Sequence, residues 1–435
     1  MRTRVHGRTV AIAIAALLAL ALAGCDAIER ESKRSEAAEQ MQRGYLALEQ
    51  ERYEDARSAF GTAYGIYKSI RDTLPAAHAL VGRGMAAAGL ERHEEAIADL
   101  GSALKLHAVD GSADDPLRAQ ILSLIGDSQG QISRWSEAVA AFEQALEIEQ
   151  RAHGGEDPRS VRLLIGLVWA WDARADYKKA QGYLDRATAI TGKPGYDDVV
   201  LTSFVSYARV QVLSHVGRRQ EALELAQRTL LKARERLAPD HNVISTGMNL
   251  LGYCYLEIGR AEEALAQFEG ARGILVKRYG ERSSEAATVT DSVGEAKREL
   301  GRFAEALALH EQALEVKRAA GAGDTDEVAW LVDNIGRAKL GLGRFDEAIA
   351  DFDRAMGMVR TIHGPGHPDE ARELAHKGRA LCAKGRADAA RAQLDQALEI
   401  LGTHFGPDHP DAVEVTKQIE TCSAAPATAA VQPAS

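Results

Sequence analysis

One signature returns along this chain at a fixed distance, and that distance limits what the chain can fold into. Gly301-Arg302-Phe303-Ala304-Glu305-Ala306 reappears as Gly343-Arg344-Phe345-Asp346-Glu347-Ala348. With the last alanine as marker, the series runs Ala56, Ala96, Ala138, Ala180, Ala222, Ala264, Ala306, Ala348 and Ala390, one spacing of 40 residues and then seven of 42. A constant period of this length marks stacked repeats, because each unit can bury its apolar face only against its neighbours.

Other columns keep step with the marker. Arg stands four residues before it in eight of nine copies, and Ala seven residues after it in eight. Gly stands twelve before it in seven copies, Val168 and Val210 filling the fourth and fifth, and an aromatic or Leu is frequent four after. A glycine inside a helix costs about 1 kcal/mol relative to alanine, so its regular return points to a close helix crossing. Each unit reads as a first helix, a Gly-Arg turn and a second helix such as Phe303 to Lys317. Asp115-Pro116, Asp157-Pro158, His367-Pro368 and His409-Pro410 open first helices with a capping residue and proline.

These columns resemble the tetratricopeptide repeat, and the 42-residue unit with turns such as Gly406-Pro407-Asp408-His409-Pro410 resembles the kinesin-light-chain variety. The resemblance implies an all-α, right-handed superhelical solenoid of about nine helix-turn-helix repeats across residues 34–421, closed by a C-terminal capping helix near Pro410 to Thr421. It also implies that one face of the first helices, at 18, 15, 11 and 8 residues before each marker, lines a concave groove. That stripe carries Trp169, Tyr207, Asn249 and Tyr253 in the middle units, then Trp330, Asp333, Arg337, Arg372 and Arg379. Exposed aromatics and arginines are common interface anchors. Arg337 and Arg379 share a frame position, and with Arg372 they would form a cluster suited to a carboxylate. The competing reading is that such residues pair among themselves, Glu295 with Arg337 for instance.

The remaining features narrow the function class. Net charge is -10 with acids and bases interspersed, so no nucleic-acid footprint is expected. Hydrophobic residues reach 46% and aromatics only 5%, a mixture that suits close-packed helices. Gly126-Asp127-Ser128-Gln129-Gly130 matches a nucleophile-elbow pattern, but it lies inside a first helix with no strand before it. Repeats consume almost every residue, so neither an enzyme nor a cofactor is expected. His241, His367 and His409 fall in separate turns, too far apart to share a metal. Cys382 and Cys422 differ by two positions in the repeat frame, about 200° of helical rotation, which turns them towards opposed directions. A disulfide then requires Cα atoms about 4.4–6.8 Å apart, and bonded and free states both stay open.

The N-terminus is a separate matter. Arg2, Arg4 and Arg8 precede an apolar run from Val10 to Ala21, too short to span a bilayer, and Leu22-Ala23-Gly24-Cys25 closes it. This resembles a bacterial lipoprotein lipobox, which implies a signal peptide over residues 1–24, lipid on Cys25 and a tether over residues 25–33. The resemblance places the array on the cell envelope outside the cytoplasm, and inner and outer membrane both remain open. Residues 422–435 read as a disordered Ala/Pro-rich tail. The expected role is a membrane-anchored scaffold binding a peptide or helix of a partner protein; the alternative is a structural subunit of an envelope assembly. Cys25→Ser should abolish incorporation of labelled fatty acid and release the protein from membranes, and normal labelling of that variant would end the lipoprotein reading.

Overall fold

The computed structural model describes residues 27–110, 115–154 and 157–424. The signal segment 1–24, Cys25 and residues 425–435 of the tail lie outside the described residues. Among the described residues every regular element is an α-helix, and none is long and apolar enough to cross a membrane. The chain divides into two compact units, residues 1–128 and 129–435. The first holds α1 (27–49), α2 (Tyr53–Ser69), α3 (Thr73–Gly89), α4 (His93–Asp110) and most of α5 (Pro116–Gln131). The second begins with α6 (Trp135–His153), α7 (Ser160–Ala173), α8 (Tyr177–Thr191), α9 (Val199–His215), α10 (Arg219–Arg236), α11 (Asn242–Glu257) and α12 (Ala261–Tyr279). It continues through α13 (Ser284–Glu299), α14 (Phe303–Ala319), α15 (Asp326–Gly341), α16 (Phe345–His363), α17 (Pro368–Ala383), α18 (Ala387–His404) and α19 (Pro410–Ala424). Odd-numbered helices up to α17 are first helices, even-numbered ones second helices, and α19 covers the open end.

Two boundaries differ from expectation. Residues 27–33 are not an extended tether but the opening turns of α1, held by a Lys33–Glu29 pair at 2.7 Å. Arg34 ties the same helix to Asp72 at 2.7 Å. At the other end, residues 422–424 belong to α19 and not to the tail. Cys422 is buried there and bonded to Cys382, the Cα atoms 5.7 Å apart.

The turn inside each repeat follows one design. The residue five before the marker adopts a left-handed conformation in all nine copies. It is Glu51, Glu91, Ser133 and Ala175 at φ 56–58°, then Gly217, Gly259, Gly301, Gly343 and Gly385 at φ 75–78°. The next residue's N–H bonds back to the carbonyl five positions earlier, as Arg218 to Leu213 at 2.8 Å and Arg302 to Lys297 at 2.9 Å. This is a Schellman termination, and it fixes the angle at which the second helix leaves. The arginine column then pairs with an acid three residues on, Arg218 with Glu221 at 2.6 Å and Arg344 with Glu347 at 2.6 Å. Both partners are exposed, so each pair adds well under about 1 kcal/mol.

Packing explains the small-residue columns. All nine marker alanines are fully buried, as are the alanines seven residues later, and Thr229 takes that place in the fifth unit. The column glycine faces the aromatic or Leu of its own second helix. A Cβ on Gly252 would lie 2.3 Å from the Phe268 ring, and one on Gly336 would lie 2.8 Å from Phe352. In the fifth unit the sizes are exchanged, Val210 standing where the glycine was and Ala226 where the ring was, both fully buried. In the seventh unit the aromatic position, four after the marker, is His310, buried beside Gly294 and bonded to Asp291 at 2.5 Å.

In the second unit, repeats far apart in sequence also touch. The turns after α5, α7 and α9 meet the openings of α15, α17 and α19. Trp135 donates to Asp326 at 2.6 Å, and Asp326 N–H donates to Ser133 Oγ at 2.9 Å. His367 Nε2 bonds the Ala173 carbonyl at 3.1 Å, and His409 Nε2 bonds the His215 carbonyl at 3.0 Å. Arg219 pairs with Asp411 at 3.0 Å. Each histidine also accepts its own helix's N–H at Nδ1, from Asp369 and Asp411 at 3.3 Å. One ring therefore caps a helix and joins a seam spanning 191–194 residues of sequence.

The glycine–aromatic contact gives a direct test. Gly252→Val should destabilise by about 1–3 kcal/mol through overpacking, and Phe268→Ala by about 3–5 kcal/mol. The double variant, which copies the Val210–Ala226 pair, should lose at least about 1 kcal/mol less than the sum in urea unfolding. Additive losses would show that the two positions do not share one space.

Candidate ligand cavity on the first helices

The first helices of the second unit enclose a cavity of about 450 Å³. Its apolar wall comes from one side chain or two on each of four helices: Trp169 of α7, Phe204 and Tyr207 of α9, Leu250 and Tyr253 of α11, and Trp330 and Leu331 of α15. The 42-residue register puts them there, because equivalent residues of successive units share one face. Trp169 stands edge-on to Phe204 with centroids 6.3 Å apart, and Phe204 edge-on to Tyr207 at 6.4 Å. Tyr253 meets Phe268 of the core at 5.1 Å and its hydroxyl bonds Ser292 at 2.9 Å. Tyr207 is buried, its hydroxyl donating to the Val243 carbonyl at 3.1 Å. Trp169 keeps 39% of its surface exposed. Asn249 lines the same space with its Oδ1 buried and unbonded. Rigid aromatics with a few polar groups make a ligand site of ordinary size.

The expected charged stripe divides differently. Arg337 does not present a free guanidinium; it bonds Glu295 at 2.6 Å and the Asn334 side-chain oxygen at 3.0 Å. Glu295 also accepts from Arg298 at 2.9 Å. Burial alone would raise the Glu295 pKa, but the charges of Arg337 and Arg298 outweigh it and hold the carboxyl far below its usual range. Arg372 is likewise committed, to Asp369 at 2.7 Å, with its guanidinium 4.3 Å above the Trp330 ring. It supports the cavity wall without facing a ligand. Asp333 is buried against His376 at 2.7 Å. Arg379 makes no hydrogen bond or ion pair among the described residues. Burial, then Arg337 and Arg298 nearby, lower its pKa. The carboxylate-reading cluster of Arg337, Arg372 and Arg379 is thus corrected to two arginines already bonded to acids and one, Arg379, that is not. The stripe's buried acids explain the change, since an acid without a cation there would be far costlier than a paired one.

Two lining residues, His215 and Glu257, and Asp172 behind them escaped the sequence reading. Asp172 is buried at the end of α7 and bonds His215 Nδ1 at 3.0 Å and Gln211 at 3.0 Å. Burial pulls the His215 pKa down, but the Asp172 charge and hydrogen bond, with Asp369 and Glu257, outweigh it and raise it to about 9. His215 is therefore a cation at neutral pH. Glu257, one repeat further in the same frame position, accepts from the Ser214 hydroxyl at 3.0 Å. The column seven before the marker reads Ala173, His215, Glu257, Glu299, and that run of charge was the available signal.

Two clusters hold metal-type donors. His363, His367 and Asp369 approach one another, yet His363 is bonded to Asp326 at 2.6 Å and His367 serves the seam. Asp333, Glu373 and His376 form the second. Burial, with Asp333 beside it, pushes the Glu373 pKa well up, while Arg337 and Arg372 supply positive charge.

The sequence profile of the tetratricopeptide repeat matches residues 75–149, 117–193, 203–275, 246–319, 284–360 and 326–403. Among curated proteins no sequence matches. Among solved structures, a Rap protein in complex with competence and sporulation factor is similar over 90% of this chain and 98% of its own, at 14% identity and a TM-score of 0.54. BtubC (BKLC) from P. vanneervenii matches over 56% and 92% of the two chains at 20% identity, with a TM-score of 0.36. A Podosopora anserina protein of nearly identical, kinesin-light-chain TPR-like repeats covers 48% of this chain and 97% of its own, at 19% identity and a TM-score of 0.37. With profile matches over most of its length and nine hairpins built on one register, the chain belongs to the tetratricopeptide repeat family.

Proposed function

We propose that this protein is a membrane-anchored scaffold that seats an extended apolar segment of a partner protein in the cavity between α7 and α15. The observation that carries the reading is the aromatic wall. Trp169, Phe204, Tyr207, Tyr253 and Trp330 come from four helices, yet line one space open to solvent. Aromatic side chains gathered on one solvent-facing wall are the residue types that anchor interfaces. Asn249 adds a polar side chain to the same wall. Tetratricopeptide repeats mediate protein–protein contacts, and the Rap neighbour of similar fold was solved with a bound factor. Anchoring rests on the lipobox-like Leu22-Ala23-Gly24-Cys25 and places the groove beside other envelope proteins.

A heptapeptide display library panned on the purified protein should return apolar sequences. Thr246 is exposed and lines the cavity, so Thr246→Arg should fill the space without disturbing the core. It should weaken binding of the selected peptides more than about tenfold, near 1.4 kcal/mol. Leu231→Arg, at a residue 61% exposed and outside that lining, should leave binding unchanged. Equal effects of the two substitutions would move recognition elsewhere.

A further inference from the structure

The acids around the cavity are answered by the fold with one exception. Asp291 is held by His310 at 2.5 Å and by Asn334 at 3.1 Å. Glu327 meets Lys317 at 2.8 Å and the Thr288 hydroxyl at 2.6 Å. Glu257 has only the Ser214 hydroxyl. The charges of Arg219 and His215 reach it through space, but each bonds another acid, Arg219 Asp411 and His215 Asp172, both at 3.0 Å.

The position is also unfavourable for a carboxylate on two further counts. Burial raises the Glu257 pKa, and the Ser214 hydrogen bond with the charges of Arg219 and His215 offsets this only in part. As the last residue of α11 it sits at the negative end of the helix dipole, where a cation or a neutral side chain is preferred. A charge kept where the fold gains nothing from it is a mark of function. Tyr253 stands four residues earlier, one turn back on the same face of α11, and both residues line the cavity. A cation between them would meet a ring and a carboxylate at once, two attractions that reinforce each other away from bulk water.

We propose that Glu257 and Tyr253 form a subsite for a cationic side chain, arginine or lysine, carried by the bound segment among its apolar residues. This rests on the cavity reading given above. It turns an apolar groove into one that selects a basic residue at a fixed place, and it makes acidic segments poor occupants.

The test uses the full chain and three blocked pentapeptides, Ac-Leu-Ala-Xaa-Ala-Leu-NH2, with Xaa arginine, its uncharged isostere citrulline, or glutamate. Calorimetric titration at one low salt concentration should find the arginine peptide bound about tenfold tighter than the citrulline peptide, a difference near 1.4 kcal/mol. The glutamate peptide should bind weakest. Glu257→Gln keeps the Ser214 hydrogen bond, so citrulline-peptide affinity should hold within about twofold while the arginine preference falls below about twofold. An arginine preference that survives in Glu257→Gln, or binding of all three peptides with no preference in the wild type, overturns the subsite and leaves the cavity reading standing. Failure of all three to bind at millimolar concentration removes the cavity reading and the subsite with it.

Discussion

An aromatic ring seated where a glycine leaves no Cβ sets the distance between the two helices of a repeat. At Gly252 and Gly336 the facing ring occupies the volume a side chain would need. The helices therefore approach more closely than ordinary side chains allow, and the buried alanines on either side continue the contact. The left-handed residue before each arginine fixes the exit angle. Together, distance and angle repeat every 42 residues, so a small error at one hairpin would accumulate along the array. The Val210–Ala226 exchange shows that the shared volume matters, not the identity of either partner.

The cavity is a consequence of that regularity. Residues eleven and fifteen positions before each marker come to one face because every repeat presents its first helix in the same orientation. In the second unit the seam adds a second constraint. Bonds from His367, His409 and Asp326 to turns nearly two hundred residues earlier hold repeats four or five apart in fixed relation. Charges near the wall are shifted by their neighbours: buried Asp172 raises the pKa of the lining His215, and Arg337 and Arg298 help to lower that of Arg379, outside the lining. A preformed, rigid wall lowers the ordering cost that a flexible receptor would meet on binding.

Much of this was legible in the residues. The period, the alanine and glycine columns and the proline-led helix starts dictate hairpins, and the stripe picked out Trp169, Tyr207, Asn249, Tyr253 and Trp330, which line one space. What could not be read was which charges are spent. Arg337 and Arg379 occupy the same frame position, yet only Arg337 has an acid one repeat earlier, Glu295, close enough to hold it. Glu257 was passed over because its column is outside the stripe, and its meaning depends on which cations bond other acids instead, which only three dimensions reveal. The seam left its histidines in register, His367 and His409 one repeat apart, but nothing in the period says that they reach turns nearly two hundred residues earlier. Residues 27–33 were misread as a tether because their charges look like linker composition, whereas Glu29 and Lys33 are spaced to pair along a helix.

The central claim is that ligand enters the first-helix cavity of the second unit, and the chain's four tryptophans sort that claim cleanly. Trp169 and Trp330 line the cavity, Trp135 sits in the seam bonded to Asp326, and Trp171 is buried beneath Lys179. Fluorine NMR of 5-fluorotryptophan-labelled protein, titrated with a bound peptide, reads all four at once. The account predicts that the Trp169 and Trp330 resonances shift with one shared saturation curve while Trp135 and Trp171 stay in place. Shifts confined to Trp135 or Trp171, with Trp169 and Trp330 unmoved at saturation, would contradict it.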